Sequence, residues 1–488
     1  MGDTREFRRA TVIQMLMAAT CAVATNIYVS YTNYISYYLT GIVGFGVVLA
    51  GSFITIFRIW DAVTDVGMGI IVDKTNTRIG KFRPYLIAGM IGTFIVSHAL
   101  IYLPPLIPEG TPRKAVFVIT YMIYVLCTTM QACAQRSIMQ ILTNDPKQRA
   151  TMGMLNGIFL TILYSMIPVL VFSRLIPSTK GFNIEFFKRL LTVVSLISMA
   201  CMTLTIIAMG KHDKQVPKEQ MKKVEKFSVK AAASMLRHNR PLLMLVLSAG
   251  TDKLASTLQG NATVVVIMFA IVCGNSKLSS AANSYTMWPS IIMILLGVGA
   301  IGRKFGARRS LVFASWGGII TSVLSIALWI FGNPRTLNFP GYDGFVGWSV
   351  FTIAYLVLWC LMKGLNMVAT NSLNPMLADV IDYELYRSGV YCPGTIGSLF
   401  SLADKVISSL GPTIVAILCA LIGFKDVLPN LETPYSTSLF AIGLLGMYGL
   451  ALVGLIVNVV CLKFYDLTPE RMAEIRNELN LRKESEVR

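Results

Sequence analysis

Twelve long apolar runs joined by mostly short polar connections restrict this chain to one kind of solvent. A backbone lying in hydrocarbon must satisfy every N–H and C=O within its own segment, so each such run is held to an α-helix. The runs lie near 11–39, 42–72, 84–104, 115–141, 151–173, 190–210, 241–272, 283–302, 310–331, 348–378, 394–424 and 437–462. Each comes close to or passes the roughly 20 residues that cross a bilayer. Charged residues are only 14% of the 488 and hydrophobic ones 54%, where a soluble domain carries roughly 25% charged residues. A soluble enzyme is therefore excluded, and the expected fold is an all-α membrane protein of 12 transmembrane helices in two six-helix bundles. The nine cysteines fall almost entirely within the runs at no metal-ligand or disulfide spacing and read as small buried hydrophobes.

Six runs precede and six follow the longest polar insert. The expected organisation is a first bundle over 1–210, a basic connector over 211–240, a second bundle over 241–464 and a tail over 465–488. A net charge of +18 raises the question of nucleic acid, but the basic residues sit where a membrane protein places them. With both termini cytoplasmic, some two thirds of the 43 lysines and arginines fall in inside loops, as the positive-inside rule requires. The 211–240 connector fits either a helix lying on the anionic inner leaflet or a solvated linker. The opening MGDTREFRR runs into the first apolar stretch without a cleavage site, so the first helix is expected to be retained. The expected location is the plasma membrane, the expected partners are lipids and a small solute with no nucleic acid, and the chain is expected to work as a monomer.

The two halves repeat one another. After the second run comes Gly69, Asp73-Lys74 and then Gly80-Lys81-Phe82-Arg83; after the eighth comes Gly299, Arg303-Lys304 and then Gly306-Ala307-Arg308-Arg309. A small residue lets helices approach and a basic cluster anchors a tight turn. This pattern resembles the loop signature of the major facilitator superfamily, whose halves are parallel repeats around a substrate path; the alternative is two independent basic loops.

Charge inside the apolar runs is the functional signal, because an ionisable residue at membrane depth costs a few kcal/mol and needs a partner or a task. In FRIWDAVTDVGMG, Arg58, Asp61 and Asp65 are spaced by three and four and share one helical face. A carboxylate pair there can bind a hard monovalent ion or share a proton; the alternative is an Arg–carboxylate pair that only joins helices. Asp252-Lys253 and Lys363 with Asn366 and Asn371 either line the second-half wall or pair with one another. Gln131, Gln135, Tyr28, Tyr31 and Tyr34 are sugar-type donors and stacking faces, or an interfacial aromatic belt.

These residues carry a more specific likeness. Arg58-Ile59-Trp60-Asp61 with Asp65, Gly69 and Gly80-Lys81-Phe82-Arg83-Pro84-Tyr85 resembles the second helix and following loop of the glycoside-pentoside-hexuronide:cation symporters, the melibiose permease family. Ala378-Asp379 with Asp382-Tyr383-Glu384, leading through Gly394 to Lys405, and Asp145-Pro146-Lys147-Gln148-Arg149 resemble two further segments of it. The resemblance implies a cation site at Asp61, Asp65 and Thr129, filled by sodium, lithium or a proton, with Arg58 and Lys405 coupling that ion to the solute. It implies a solute site among Thr25, Asn26, Arg136, Ser401, Asp404 and Lys405. No cofactor is implied beyond the coupling cation, and no catalytic residue. The sequence also departs from the family: Thr25 and Ala132 stand where the family has acids, Arg136 where it has a tryptophan, and Gly157 where it has an arginine. Melibiose-type recognition is therefore not carried over, and the pocket becomes more positive if Arg136 points inward rather than snorkelling. The expectation is cation symport of a glycoside, oligosaccharide or hexuronide by alternating access. The alternatives are a facilitator or antiporter of another solute such as an organic anion, and a transport-inactive sensor of the same fold.

Overall fold

A computed structural model describes residues 9–75, 77–143, 145–210, 213, 235–305, 307–340, 347–389 and 393–487. Most of the basic connector over 211–240, Gly306 and Cys392 lie outside the described residues, so the membrane-surface helix expected there has no structural counterpart to describe. Numbered in chain order, the long helices are α1 (Val12–Thr32), α2 (Val47–Lys74), α3 (Arg83–Tyr102), α4 (Thr111–Leu142), α5 (Pro146–Leu170), α6 (Ile184–Met209), α7 (Arg240–Gln259), α8 (Lys277–Phe305), α9 (Ala307–Phe331), α10 (Val350–Ser388), α11 (Pro393–Leu421), α12 (Thr437–Lys463) and α13 (Pro469–Val487). No strand occurs among the described residues.

Ten of these helices are individually long and apolar enough to cross a membrane, and α7 with its continuation Ala262–Val272 makes an eleventh span bent by 50°. The twelfth, α8, has the length at 29 residues but carries Ser279, Ser280, Asn283 and Ser284 in its first half. The described cysteines are free thiols, and five of them are buried.

The chain divides into two compact units. The first holds residues 1–225 with 275–287 and 416–433; the second holds 226–274, 288–415 and 434–488. Inside the first unit α1 packs chiefly on α6 and α3 on α4; inside the second α7 packs on α12 and α9 on α10. The same helix positions pair in each half, as a parallel repeat demands.

Polar fastenings repeat with the packing. Arg9 Nε lies 3.0 Å from Asp145 Oδ2, and the Gln148 amide bonds both backbone groups of Ala10 at 2.9 and 3.0 Å, tying the start of α1 to the α4–α5 connection. At the same place in the second unit Asn239 caps α7 and donates to Glu384 of α10 at 2.7 Å, while Arg387 holds that carboxylate at 2.9 Å. Asp213, just past α6, accepts from the backbone N–H groups of Lys81, Phe82 and Arg83 at 3.1, 3.0 and 2.9 Å. A carboxylate there satisfies donors that the first turn of α3 leaves open. The counterpart is Arg308 at the start of α9, which donates to the Leu462 carbonyl near the end of α12 at 3.1 Å.

Several expectations change. Helices 1 and 7 do not run unbroken over 11–39 and 241–272. α1 stops at Thr32 and resumes as Ile35–Tyr38 with a π-turn over Leu39–Val43; α7 stops at Gln259 and resumes at Ala262 with a π-turn over Val266–Val272. In α7 the cause is local, because Asn261 caps the new helix by accepting from Thr263 N. α10 passes the expected end at 378 and reaches Ser388, where Gly389 at φ +73° stops it. Asp379, Asp382 and Glu384 are thus helical. The tail is also a helix, and α13 buries Met472 and Ile475 against Met376 and Val380 of α10. Gly69 has open space where a Cβ would be, so the close helix approach falls instead at Gly89, whose added Cβ would lie 2.7 Å from Gln131 Cγ.

Candidate functional site

Arg58, Asp61 and Asp65 lie on α2 in the first unit, all half-buried, their spacing carrying them along one face. Facing them on α4 is Thr129, 1% exposed. Its Oγ1 lies 3.2 Å from Asp61 Oδ1, 3.1 Å from Thr64 Oγ1 and 2.8 Å from the Val125 carbonyl. Thr64 Oγ1 in turn lies 2.9 Å from the Asp61 carbonyl. Each hydroxyl has one proton, and each has a backbone carbonyl nearer than any other oxygen. Thr129 donates to the Val125 carbonyl or to Asp61 Oδ1, and Thr64 donates to the Asp61 carbonyl, so one carboxylate and two hydroxyls gather oxygens of the kind a hard cation takes.

A polar strip runs beside this group. Thr25 Oγ1 donates to Gln135 Oε1 at 2.8 Å, joining α1 to α4. Asn26 Nδ2 donates to the Ala22 carbonyl at 2.9 Å, and its Oδ1 accepts from the Tyr164 hydroxyl at 2.9 Å, joining α1 to α5. Tyr164 keeps 42% of its surface exposed although it is fixed by that bond, which leaves a phenol ring available to a solute. The sequence reading missed it; the available signal was a single tyrosine in the middle of the apolar 151–173 run. Arg136 follows Gln135 on α4, and its side chain lies outside the described residues.

Other candidates in this unit turn out to be structural. Gln131 is 2% exposed and donates to the Gly89 carbonyl and to Thr93, both at 2.8 Å, which locks α3 to α4. Tyr28, Tyr31 and Tyr34 are 3%, 1% and 5% exposed, so they form no interfacial belt. Tyr34 packs among Phe172, Phe182 and Phe186 instead.

In the second unit Ser401, Asp404 and Lys405 are half-buried on α11, and the three- and four-residue spacings from Ser401 put them on one face. Asp252 on α7 accepts from Asn458 of α12 at 2.7 Å. Neither neighbouring lysine pairs with it among the described residues: Lys253 is exposed, and Lys363 sits over the Trp359 ring at 5.6 Å. Asn366 joins Asp252 in lining a small cavity of this unit; the Asn371 side chain lies outside the described residues.

Two repeated six-helix halves with ionisable groups held inside them define a transporter of the major facilitator superfamily. The chain belongs to the MFS/sugar transport protein family, which it matches over residues 17–469. It is 26% identical over 459 residues to the glucuronide carrier protein homolog of Escherichia coli K12, covering 92% of this chain and 91% of that one. It is 22% identical to the isoprimeverose transporter of Lactiplantibacillus pentosus, covering 80% and 76%. Among solved structures, the nucleoside transporter NupG superposes with a TM-score of 0.59 at 10% identity, over 94% of this chain and all of that one.

Proposed function

We propose that this transporter moves a glycoside, small oligosaccharide or hexuronide by symport with a monovalent cation. The observation that carries the reading is the Asp61–Thr129–Thr64 oxygen cluster, which offers one carboxylate and two hydroxyls to an ion at membrane depth. Asp65, one turn along, brings a second negative charge, and Arg58 balances the face when no ion is bound. The ion is cargo here and is released with the solute. In the first unit Thr25, Asn26, Gln135 and Tyr164 offer hydroxyl, amide and ring contacts of the kind sugars use, and Arg136 is a further candidate there; in the second unit the solute candidates are Ser401, Asp404 and Lys405. Lys405 is the proposed coupling residue of the second unit, and Arg58 that of the first. Both termini are cytoplasmic and the chain works as a monomer in the plasma membrane, without covalent chemistry. The relatives' names, a glucuronide carrier homolog and an isoprimeverose transporter, support the solute class. Uptake of a labelled uronide and a labelled neutral disaccharide into vesicles, driven separately by a sodium and a proton gradient, tests it. Accumulation of either solute above equilibrium under one gradient is the expected result; equilibration alone under both removes the symport reading.

A further inference from the structure

We propose that the second unit holds a cation site of its own, centred on Asp252 and sized for one sodium ion. A cavity of about 10 Å³ lies inside this unit, roughly the room of one water-sized occupant. Asp252, Gln259, Ser322 and Asn366 contribute polar groups to its wall, and apolar residues such as Leu365 and Leu455 close much of the rest. Ser322 is fully buried, yet its Oγ has no hydrogen-bond partner. An unsatisfied buried hydroxyl is costly, so a site that retains one beside a cavity is built to meet an occupant.

The charge balance points the same way. Asp252 lies in the apolar α7 span, and no lysine or arginine forms an ion pair with it among the described residues. A carboxylate at that depth needs a compensating positive charge. The Asp252 carboxylate is met by one oriented amide donor. Ser248 donates to Asn458 Oδ1, which turns the Asn458 amide N–H toward Asp252 Oδ2, and a donor held on a carboxylate stabilises the ionised form. Gln259 directs Nε2 to the Met362 sulfur at 3.9 Å, which keeps its carbonyl oxygen available as a ligand. Carboxylate, hydroxyl and amide oxygens around one water-sized space make a hard-cation donor set.

This site belongs to the second unit and the Asp61 cluster to the first, and they share no residue, so the two can be counted separately. Full-length protein in nanodiscs is titrated with ²²Na⁺ as wild type, Asp61→Asn/Asp65→Asn, Asp252→Asn, and the triple variant. The expected result is that Asp61→Asn/Asp65→Asn still binds one sodium, that the triple variant binds none, and that Ser322→Ala on the double-variant background weakens sodium roughly tenfold. No sodium bound by the double variant, or an unchanged count when Asp252→Asn is added to it, overturns the proposal. Sodium binding by the wild type that disappears with Asp252→Asn alone leaves this site standing and removes the helix 2 site instead. Should Asp252→Asn fail to fold, Ser322→Ala decides, because an unchanged sodium affinity there also overturns it.

Discussion

Thr129 holds its hydroxyl among three oxygens, those of the Val125 carbonyl, Asp61 and Thr64, and in the proposed cation site its oxygen is a ligand beside Asp61. Thr129→Val keeps the shape and removes the oxygen. The expected effect is a roughly tenfold rise in the cation concentration that half-activates uptake, the size of about 1.5 kcal/mol for a contact to a charged group; an unchanged cation dependence removes Thr129 from the site. Asp61→Cys and Asp65→Cys should each abolish uphill accumulation while leaving expression and some solute binding, and normal cation-driven accumulation in either removes that residue from the coupling machinery. Lys405→Val should leave exchange without concentration, whereas a variant that concentrates solute as the parent does makes Lys405 a structural lysine. Asp61 and Asp65 were legible as candidates because they are charges in an apolar run, and Thr129 because the family resemblance implied it; the structure puts Thr129 Oγ1 3.2 Å from Asp61 Oδ1. Thr64 was not legible, since a threonine within a helix usually bonds its own backbone, as this one also does. Gln131 and the tyrosines misled for a related reason: composition gives a polar group's chemistry but not its direction, and Gln131 spends its amide on Gly89 and Thr93.

Among the elements, periodicity located the twelve spans to within a few residues, and the failures have identifiable physical sources. The α10 extension was hidden because charge was read as an exit from the membrane, although Glu384 and Arg387 form an i,i+3 pair that supports helix. The helix in the tail went unread because its many charges mask Met472 and Ile475, the residues that bury. The loop between α2 and α3 is the most demanding element. Gly80 sits at φ +122°, and an added Cβ would lie 2.3 Å from the Asp213 carboxylate, so backbone strain and a side-chain clash coincide there. Asp213→Ala frees three N–H groups at the start of α3 and should cost about 2 kcal/mol, the upper range for a lost helix cap. A fall in the thermal midpoint of the detergent-solubilised protein, with faster thiol labelling of a cysteine placed at Ile79, is the expected outcome; an unshifted midpoint makes the cap ornamental. Gly80→Ala should lower the midpoint as well, by the same route.

Across the whole molecule, the repeat explains why one chain carries two sets of fastenings. Arg9 with Asp145 answers Asn239 with Glu384, and Asp213 on α3 answers Arg308 on the α12 carbonyl. Each half is thereby tied within itself, the condition for its helices to move as one body in alternating access. Coupling is then reciprocal: a solute that raises cation affinity is itself bound more tightly by the same factor when the cation is present. The solute's charge follows from which groups the pocket has exchanged. Acids expected from the family pattern are replaced by Thr25 and Ala132, and Thr25 spends its proton on Gln135, so carboxylate acceptors for a neutral sugar's hydroxyls are fewer. Arg136 and Lys405 are the proposed positive groups, and a uronide carboxylate pairing with either would gain about 1.5–3 kcal/mol over a neutral hydroxyl contact. Glucuronides should therefore compete for uptake at least tenfold better than the matching neutral glycosides, and Arg136→Gln should narrow that gap while leaving cation activation unchanged. Tyr164→Phe breaks the bond to Asn26 and should weaken both solutes alike, because its ring and hydroxyl carry no charge preference. Equal competition by the neutral and acidic glycosides, unaltered by Arg136→Gln, would mean that the guanidinium turns away from the solute and that selection rests on the Thr25, Gln135 and Tyr164 contacts alone.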